Sequence, residues 1–254
     1  MDRFIEFFHN QLFVCINFLL NIVNWFMVTW QGIANAFHTN FIVENRYEFV
    51  LDGVFNTLAL SLLAGILGIL LGALVTFCKL SKITPLRWFA NVYLDIIRGT
   101  PAVTQLLVIY FVILGGVKIN IVIAGSIAFG INSGAYVAEI IRAGILSIDK
   151  GQTEAGRSLG LTQRQTMMHI VFPQAIKNIL PALANEFILL IKETSIAGYI
   201  GIMELTKGVL AIQSRTFNST IPLLTSAVIY YAIIKTLTVL LGKLEKNMRK
   251  ADAR

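Results

Sequence analysis

The chain has 254 residues, of which 56% are hydrophobic and only 14% charged, with a formal net charge of +7. Soluble domains carry about 25% charged residues, so this shortfall excludes an ordinary soluble fold and specifies a membrane protein. The length suits one domain and leaves no room for a nucleotide-binding domain beside a helical bundle, and the positive balance reads as loop charge, not nucleic-acid binding.

In residues 1–45, no Asp, Glu, Lys or Arg lies between Phe7 and Val43. Asn10, Asn17, Asn21, Asn24, Gln31 and Asn35 recur at steps of three, four and seven, which puts the amides on one helical face. Phe18, Leu19, Ile22, Trp25 and Phe26 occupy the rest. Two readings stand. One is an interfacial helix lying flat, against which the lack of Lys and Arg counts. The other is a sixth span whose amides face the bundle and hydrogen-bond there, which the amide stripe favours. Ala34-Asn35-Ala36 resembles a signal cleavage site, but Asp2 and Glu6 beside a lone Arg3 make a poor positive flank and the apolar run is too long.

A span needs about 20 mostly apolar residues. Residues 46–245 contain five such stretches and form the expected transmembrane domain. The first is Gly53 to Cys78, where Gly68 and Gly72 make a step that admits a neighbouring helix closely. A short amphipathic segment, Leu86 to Ile97, leads into the second, Pro101 to about Val117. The third runs from Ile119 to about Leu146 and carries Glu139 and Arg142. The fourth covers Ile179 to Met203, interrupted by Glu186, Lys192 and Glu193. The fifth covers Ile221 to Gly242, with Lys235 inside. Basic residues cluster after the first span (Lys79, Lys82, Arg87), between the third and fourth (Lys150, Arg157, Arg164, Lys177) and after the fifth (Lys243, Lys246, Arg249, Lys250, Arg254). The other two loops hold only Lys118, and Lys207 with Arg215. The bias makes the first three groups cytoplasmic, including the tail 246–254. The fold class is therefore an all-α membrane protein of five core helices plus the N-terminal helix.

The loop 148–178 is the most informative segment. Thr153 is placed to cap a helix through Glu154, Ala155, Arg157 and Leu159, with Gly160 as its stop. Thr162 with Gln165 three residues on has the capping-box pattern, and opens a second helix through Met167, Met168, Ile170 and Val171 toward Pro173. Two short helices meeting at a glycine make a knob, and Met167, Met168 and Phe172 give it an adaptable apolar surface. Gly151 to Ser158 also has the glycine spacing of a phosphate-binding loop. Arg157 stands where that motif needs Lys, Glu154 would repel phosphate, and no buried strand precedes it. His9, His38 and His169 are isolated, so no metal site is expected. Cys15 and Cys78 lie in apolar runs and read as free buried thiols.

The stretch Gly151-Gln152-Thr153-Glu154-Ala155 through Gly160, then Phe172-Pro173-Gln174-Ala175, resembles the EAA coupling loop of ABC importer permeases. The likeness to the polar amino acid subfamily extends to Tyr93, Ile97-Arg98-Gly99-Thr100-Pro101, Gly134-Ala135-Tyr136-Val137-Ala138-Glu139 and Ile191-Lys192-Glu193-Thr194-Ser195. It covers about Val50 to Leu244. Gly156 departs from the usual Ala, which is expected to loosen the first coupling helix by about 1 kcal/mol. The resemblance implies a bacterial plasma (inner) membrane protein that pairs with a second permease copy or homologue. Two cytoplasmic ABC ATPases would each grip Glu154, Ala155, Gly156, Gly160, Met167, Met168, Phe172 and Pro173. ATP and Mg would sit on the ATPases, so this chain is expected to carry no cofactor and to catalyse no reaction. An extracytoplasmic amino acid-binding protein would deliver substrate.

Charges inside a membrane are costly and mark function or a paired structural site. In the amino acid subfamily the positions of Asn56, Arg98 and Glu139 are implicated around the substrate cavity. The expectation is that Arg98 meets a substrate carboxylate, Glu139 an ammonium or basic side chain, and Asn56 adds a neutral hydrogen bond. Against it stand the i,i+3 pairs Asp95–Arg98 and Glu139–Arg142, which can lock helices without touching substrate. A secondary carrier is disfavoured by the absence of a convincing internal repeat. A membrane enzyme is disfavoured by the absence of a nucleophile or metal cluster.

Overall fold

The computed structural model describes the backbone of residues 2–252, and the side chains of residue 13 and residues 16–246. Cys15, His9, Asn10, Arg249, Lys250 and Arg254 therefore lie outside the described side chains. Among the described residues every regular element is helical.

Helix α1 (Asp2–Phe37) is continuous, about 54 Å long at roughly 1.5 Å per residue, well beyond the ~30 Å hydrocarbon thickness. Its side chains from Ile16 to Asn35 are all exposed, so the amide face and the apolar face alike stand clear of the rest of the chain. The chain then reverses at Glu44 and Asn45, both at positive φ. Buried Arg46 fixes the reversal by donating to the Thr39 carbonyl at 2.8 Å and pairing with Glu44 at 2.9 Å.

Helix α2 (Tyr47–Leu80) and helix α5 (Ile121–Leu146), opened by an Asn120 side chain that accepts from the Val122 amide, cross at the centre. Their contact is made by small residues. A Cβ on Gly68 would lie 3.1 Å from Ser133 Cβ, and one on Gly72 only 2.4 Å from Val137. The Gly68–Gly72 step thus admits α5, as expected. Thr76 adds an interhelical bond, donating to the Ala138 carbonyl at 2.9 Å. The most apolar window of α5 is 67% buried, against 6% for helix α10 (Thr220–Asp252), so α5 is the axis of the bundle and α10 its rim.

Helix α3 (Thr84–Gly99) buries Ala90, Leu94 and Ile97 against α2 and α5. It meets helix α4 (Ala102–Leu107, continued by a π-turn over Val108–Ile113) at 110°. The corner is Gly99-Thr100-Pro101, where proline cannot continue the helix. Gln105 braces it, donating to the Ile97 and Thr100 carbonyls at 2.6 and 2.9 Å while accepting from Asn132 of α5 at 2.8 Å.

Among the described residues three helices are long and apolar enough to cross a membrane, and the number rises to five, as many as expected, when each of two bent pairs is counted as one span. The second bent pair differs from expectation. Helix α8 (Phe172–Glu193) passes into a 3₁₀ turn (Thr194–Ile200) and Gly201 at φ +94°, then into helix α9 (Leu205–Thr216). From its apolar run the fourth span is expected to end at Met203, with no helix before the fifth. α9 escapes notice because its N-cap is Glu204, outside the usual capping residues. It packs Leu205, Val209 and Ile212 with Phe41 and Val50.

Candidate functional site

The knob is built as two helices joined at a glycine. Helix α6 (Lys150–Ser158) is capped by Asp149, whose carboxylate accepts from the Gly151 amide at 2.6 Å. Thr153 lies inside the helix, which corrects the expected cap: Asp149 precedes it and captures the first free amide. The same helix absorbs Gly151 and Gly156, so no phosphate loop forms there. Gly160, at φ +84°, ends it. The Gly160 amide donates to Arg157 and the Leu161 amide to Gly156, the paired bonds of a left-handed glycine stop. Thr162 and Gln165 complete the expected capping box at the head of helix α7 (Gln163–Thr166).

The second helix does not end at Pro173. α7 passes through a π-turn (Met167–Val171) directly into α8. Proline has no amide for the carbonyl four residues back, and the widened turn just before it accommodates that loss. Gly156 also behaves differently from expectation. It is buried, and a Cβ there would lie 2.8 Å from both Thr166 Cγ2 and Ile170 Cδ1. Its missing side chain lets α6 press against α7, so the lost propensity accompanies a close crossing. Glu154, Ala155, Met167, Met168, Phe172 and Pro173 are exposed around this contact. Leu159 stands at the tip, 82% exposed; its position in sequence marks it only as part of the helix.

At the Leu80 end of α2 lies a charge cluster. Glu139 on α5 is 2.6 Å from Lys79, 2.8 Å from Arg142 and 3.8 Å from Arg98. The Glu139–Arg142 pair follows the expected spacing, whereas Arg98 turns to Glu139 and not to Asp95. Arg98 is the loosest member, its side chain 50% exposed. Three cations around one carboxylate leave a net positive cluster. Asn56 is remote from it, about 35 Å along α2 from Lys79 at roughly 1.5 Å per residue. It donates to the Met203 carbonyl at 2.9 Å. The structure thus joins Arg98 with Glu139, adds the unforeseen Lys79, and leaves Asn56 at the opposite end.

Asn56 holds the turn that walls a cavity of about 560 Å³, lined by Ser195, Tyr199, Glu204, Thr206 and Lys207 among others. Glu204 is 1% exposed. Its carboxylate accepts from the amides of Thr206 and Lys207, each at 2.7 Å, and from the Tyr230 hydroxyl at 3.1 Å. Glu204→Ala removes the cap and takes the shared acceptor from the Thr206 and Lys207 amides and the Tyr230 hydroxyl. It is expected to cost roughly 3 kcal/mol, read as a lower melting temperature and faster amide exchange over Leu205–Gly208. Unchanged exchange there would show that the cap does not hold α9. A second buried carboxylate, Glu186, accepts from Ser133 at 2.9 Å across α8 and α5. Among the described residues no three His, Cys, Asp or Glu side chains gather as a metal site.

The family model described as binding-protein-dependent transport system inner membrane component matches residues 64–250. The chain belongs to that family. A putative glutamine transport system permease protein of Rickettsia conorii is 42% identical over 202 residues, spanning 79% of this chain and 93% of the relative. The arginine transport system permease protein of Bacillus subtilis is 39% identical over 209 residues, 82% of this chain and 95% of the relative. The crystal structure of an amino acid ABC transporter with histidines superimposes with a TM-score of 0.77 at 43% identity, covering 82% of this chain and 98% of that one. The family match in this permease begins at Ala64 and leaves α1 outside. Several residues that carry the family likeness prove to be packing residues: Val137 sits on Gly72, and Gly134 lies against Leu71 and the Tyr93 hydroxyl.

Proposed function

We propose that this permease is the membrane-spanning subunit of an ATP-driven amino acid importer. The observation that carries the reading is its kinship, 42% and 39% identical over nearly the whole length of permeases named for glutamine and arginine. The knob supports it. Two helices locked by a glycine stop, a capping box and a buried glycine contact form a rigid projection with an apolar tip, suited to a groove on a partner ATPase. The loop charge bias puts the knob and the basic C-terminal end in the cytoplasm. ATP and Mg belong to two ATPase subunits, each gripping one knob. A second permease copy or homologue completes the pathway, and an extracytoplasmic binding protein supplies substrate at the end that bears the Glu204-walled cavity.

Within the pathway, Arg98 receives the substrate carboxylate, because its guanidinium is half-open and only loosely paired. Glu139 is already held by Lys79 and Arg142, so its contact with an ammonium requires one of them to move aside. Asn56 acts indirectly, through the Met203–Glu204 turn. Glu139→Gln leaves Lys79, Arg142 and Arg98 without their shared anion. Charge-assisted bonds are worth about 1.5–3 kcal/mol each, so uptake is expected to fall about tenfold or more while basal ATP hydrolysis persists. A variant that moves every amino acid at the parental rate would remove Glu139 from the pathway.

The deciding experiment is uptake in proteoliposomes holding the permease, its ATPase and its binding protein, across a panel of labelled amino acids. ATP-dependent accumulation of a polar or basic amino acid is the expected result. Uptake driven by an ion gradient without ATP would overturn the importer reading. ATP hydrolysis with movement of a different solute class alone would overturn the substrate.

A further inference from the structure

Helix α3 has three faces where a surface helix needs two. Ala90, Leu94 and Ile97 are buried against α2 and α5. Arg87, Asn91, Asp95 and Arg98, at steps of four, four and three, form an exposed polar stripe. The remaining arc is apolar again: Trp88, Phe89 and Ile96 are 66%, 64% and 57% exposed. A helix already packed on one side gains nothing in water from a second apolar side, and such a patch marks a contact surface. The 110° corner with α4 turns α3 across the direction of that span, and an amphipathic helix lying across the spans is the arrangement of an interfacial segment. Tryptophan beside basic residues is the composition of the headgroup level. Lys82 and Arg87 precede Trp88, both are exposed, and neither side chain forms an ion pair among the described residues. The nearby Lys79 and Arg142 are engaged by Glu139, whereas Lys82 and Arg87 leave two open positive charges at the start of α3.

We propose that α3 is an interfacial helix that binds anionic phospholipid headgroups through Lys82 and Arg87, with Trp88, Phe89 and Ile96 seated in the acyl region beneath them. Arg87 adjoins the apolar arc on α3 and Lys82 lies two residues ahead of the helix, so charge above meets apolarity below, which suits a phospholipid better than an apolar face of a second copy. The inference is independent of the solute the permease carries.

The chain has three tryptophans, and replacing Trp25 and Trp30 by Phe leaves Trp88 as the sole reporter. The full permease in nanodiscs is compared with brominated phosphatidylglycerol and brominated phosphatidylcholine at equal mole fraction. Trp88 is expected to be quenched by both and several-fold more by the anionic lipid. Adding Lys82→Gln and Arg87→Gln should abolish the preference, each lost charge reducing it about fivefold at most, while quenching by the brominated neutral lipid persists. That persistence also reports that α3 remains folded and seated. Equal quenching by the two lipids in the parent, or a preference that survives both substitutions, overturns headgroup binding. A Trp88 shielded from both lipids means that protein covers the face and overturns the proposal outright.

Discussion

Gly72→Leu is expected to leave no monodisperse permease on size exclusion. A mere Cβ at that position would sit 2.4 and 2.7 Å from Val137 and 2.9 Å from the Ala138 backbone nitrogen. The first two atoms belong to a β-branched side chain with little freedom in a helix, and the third is backbone, so nothing can swing aside. Overpacking costs about 1–3 kcal/mol for small insertions; a leucine here must separate α2 from α5. That separation also breaks the Thr76 bond to the Ala138 carbonyl and withdraws the support on which α3 rests. Gly72→Ala should show the milder form, a melting temperature several degrees lower. Gly242→Ala is the control, because nothing lies within 4 Å of its added carbon. A Gly72→Leu protein that melts like the parent would mean that the crossing of α2 and α5 is not the keystone of the fold.

Gly160→Pro is expected to abolish coupled uptake while the membrane-spanning helices stay folded. Proline fixes φ near −65°, and Gly160 sits at +84°. The substitution also removes the amide that donates to Arg157. The local cost is about 3 kcal/mol or more, confined to an exposed turn, so melting should change little. Leu159 and the head of α7 then lose their fixed relation. ATPase assembled with this variant should keep basal hydrolysis and lose stimulation by loaded binding protein. Gly160→Ala, which tolerates positive φ at a cost of about 1–2 kcal/mol, should fall between. Stimulation retained in the proline variant would sink the knob as the point of coupling.

The sequence shows the apolar spans, though not the course of the fourth beyond Glu193, together with the capping box at Thr162, the stop at Gly160 and the Gly68–Gly72 step, because these are written in local spacing or in apolar runs. What it hides are contacts between distant segments. Lys79 reads as one of several residues at a span end, and nothing in its neighbourhood announces Glu139 sixty residues later. Ser133 and Glu186 meet only once α5 and α8 are packed. Gly156 looks like a weak point in a helix until Thr166 and Ile170 are seen lying across it. Asn56, Arg98 and Glu139, grouped by resemblance, fall at two ends of α2, since a shared family association does not specify depth along a helix. Pro173 misleads in the other direction: proline usually breaks a helix, and here a widened turn lets the helix through.

That uninterrupted passage from Gln163 to Glu193 gives the residue count between them a meaning. Each residue added to or removed from a helix rotates everything beyond it by about 100°. Glu186 faces Ser133 only at the present phase, so a single insertion near Lys177 would swing the carboxylate off α5 and into apolar surroundings. The loop after Ile113 carries no such constraint, because its turns reset before Asn120 caps the next helix. Length variation among natural relatives should therefore gather in that loop and around Asn218, and be absent between the capping box and Glu193.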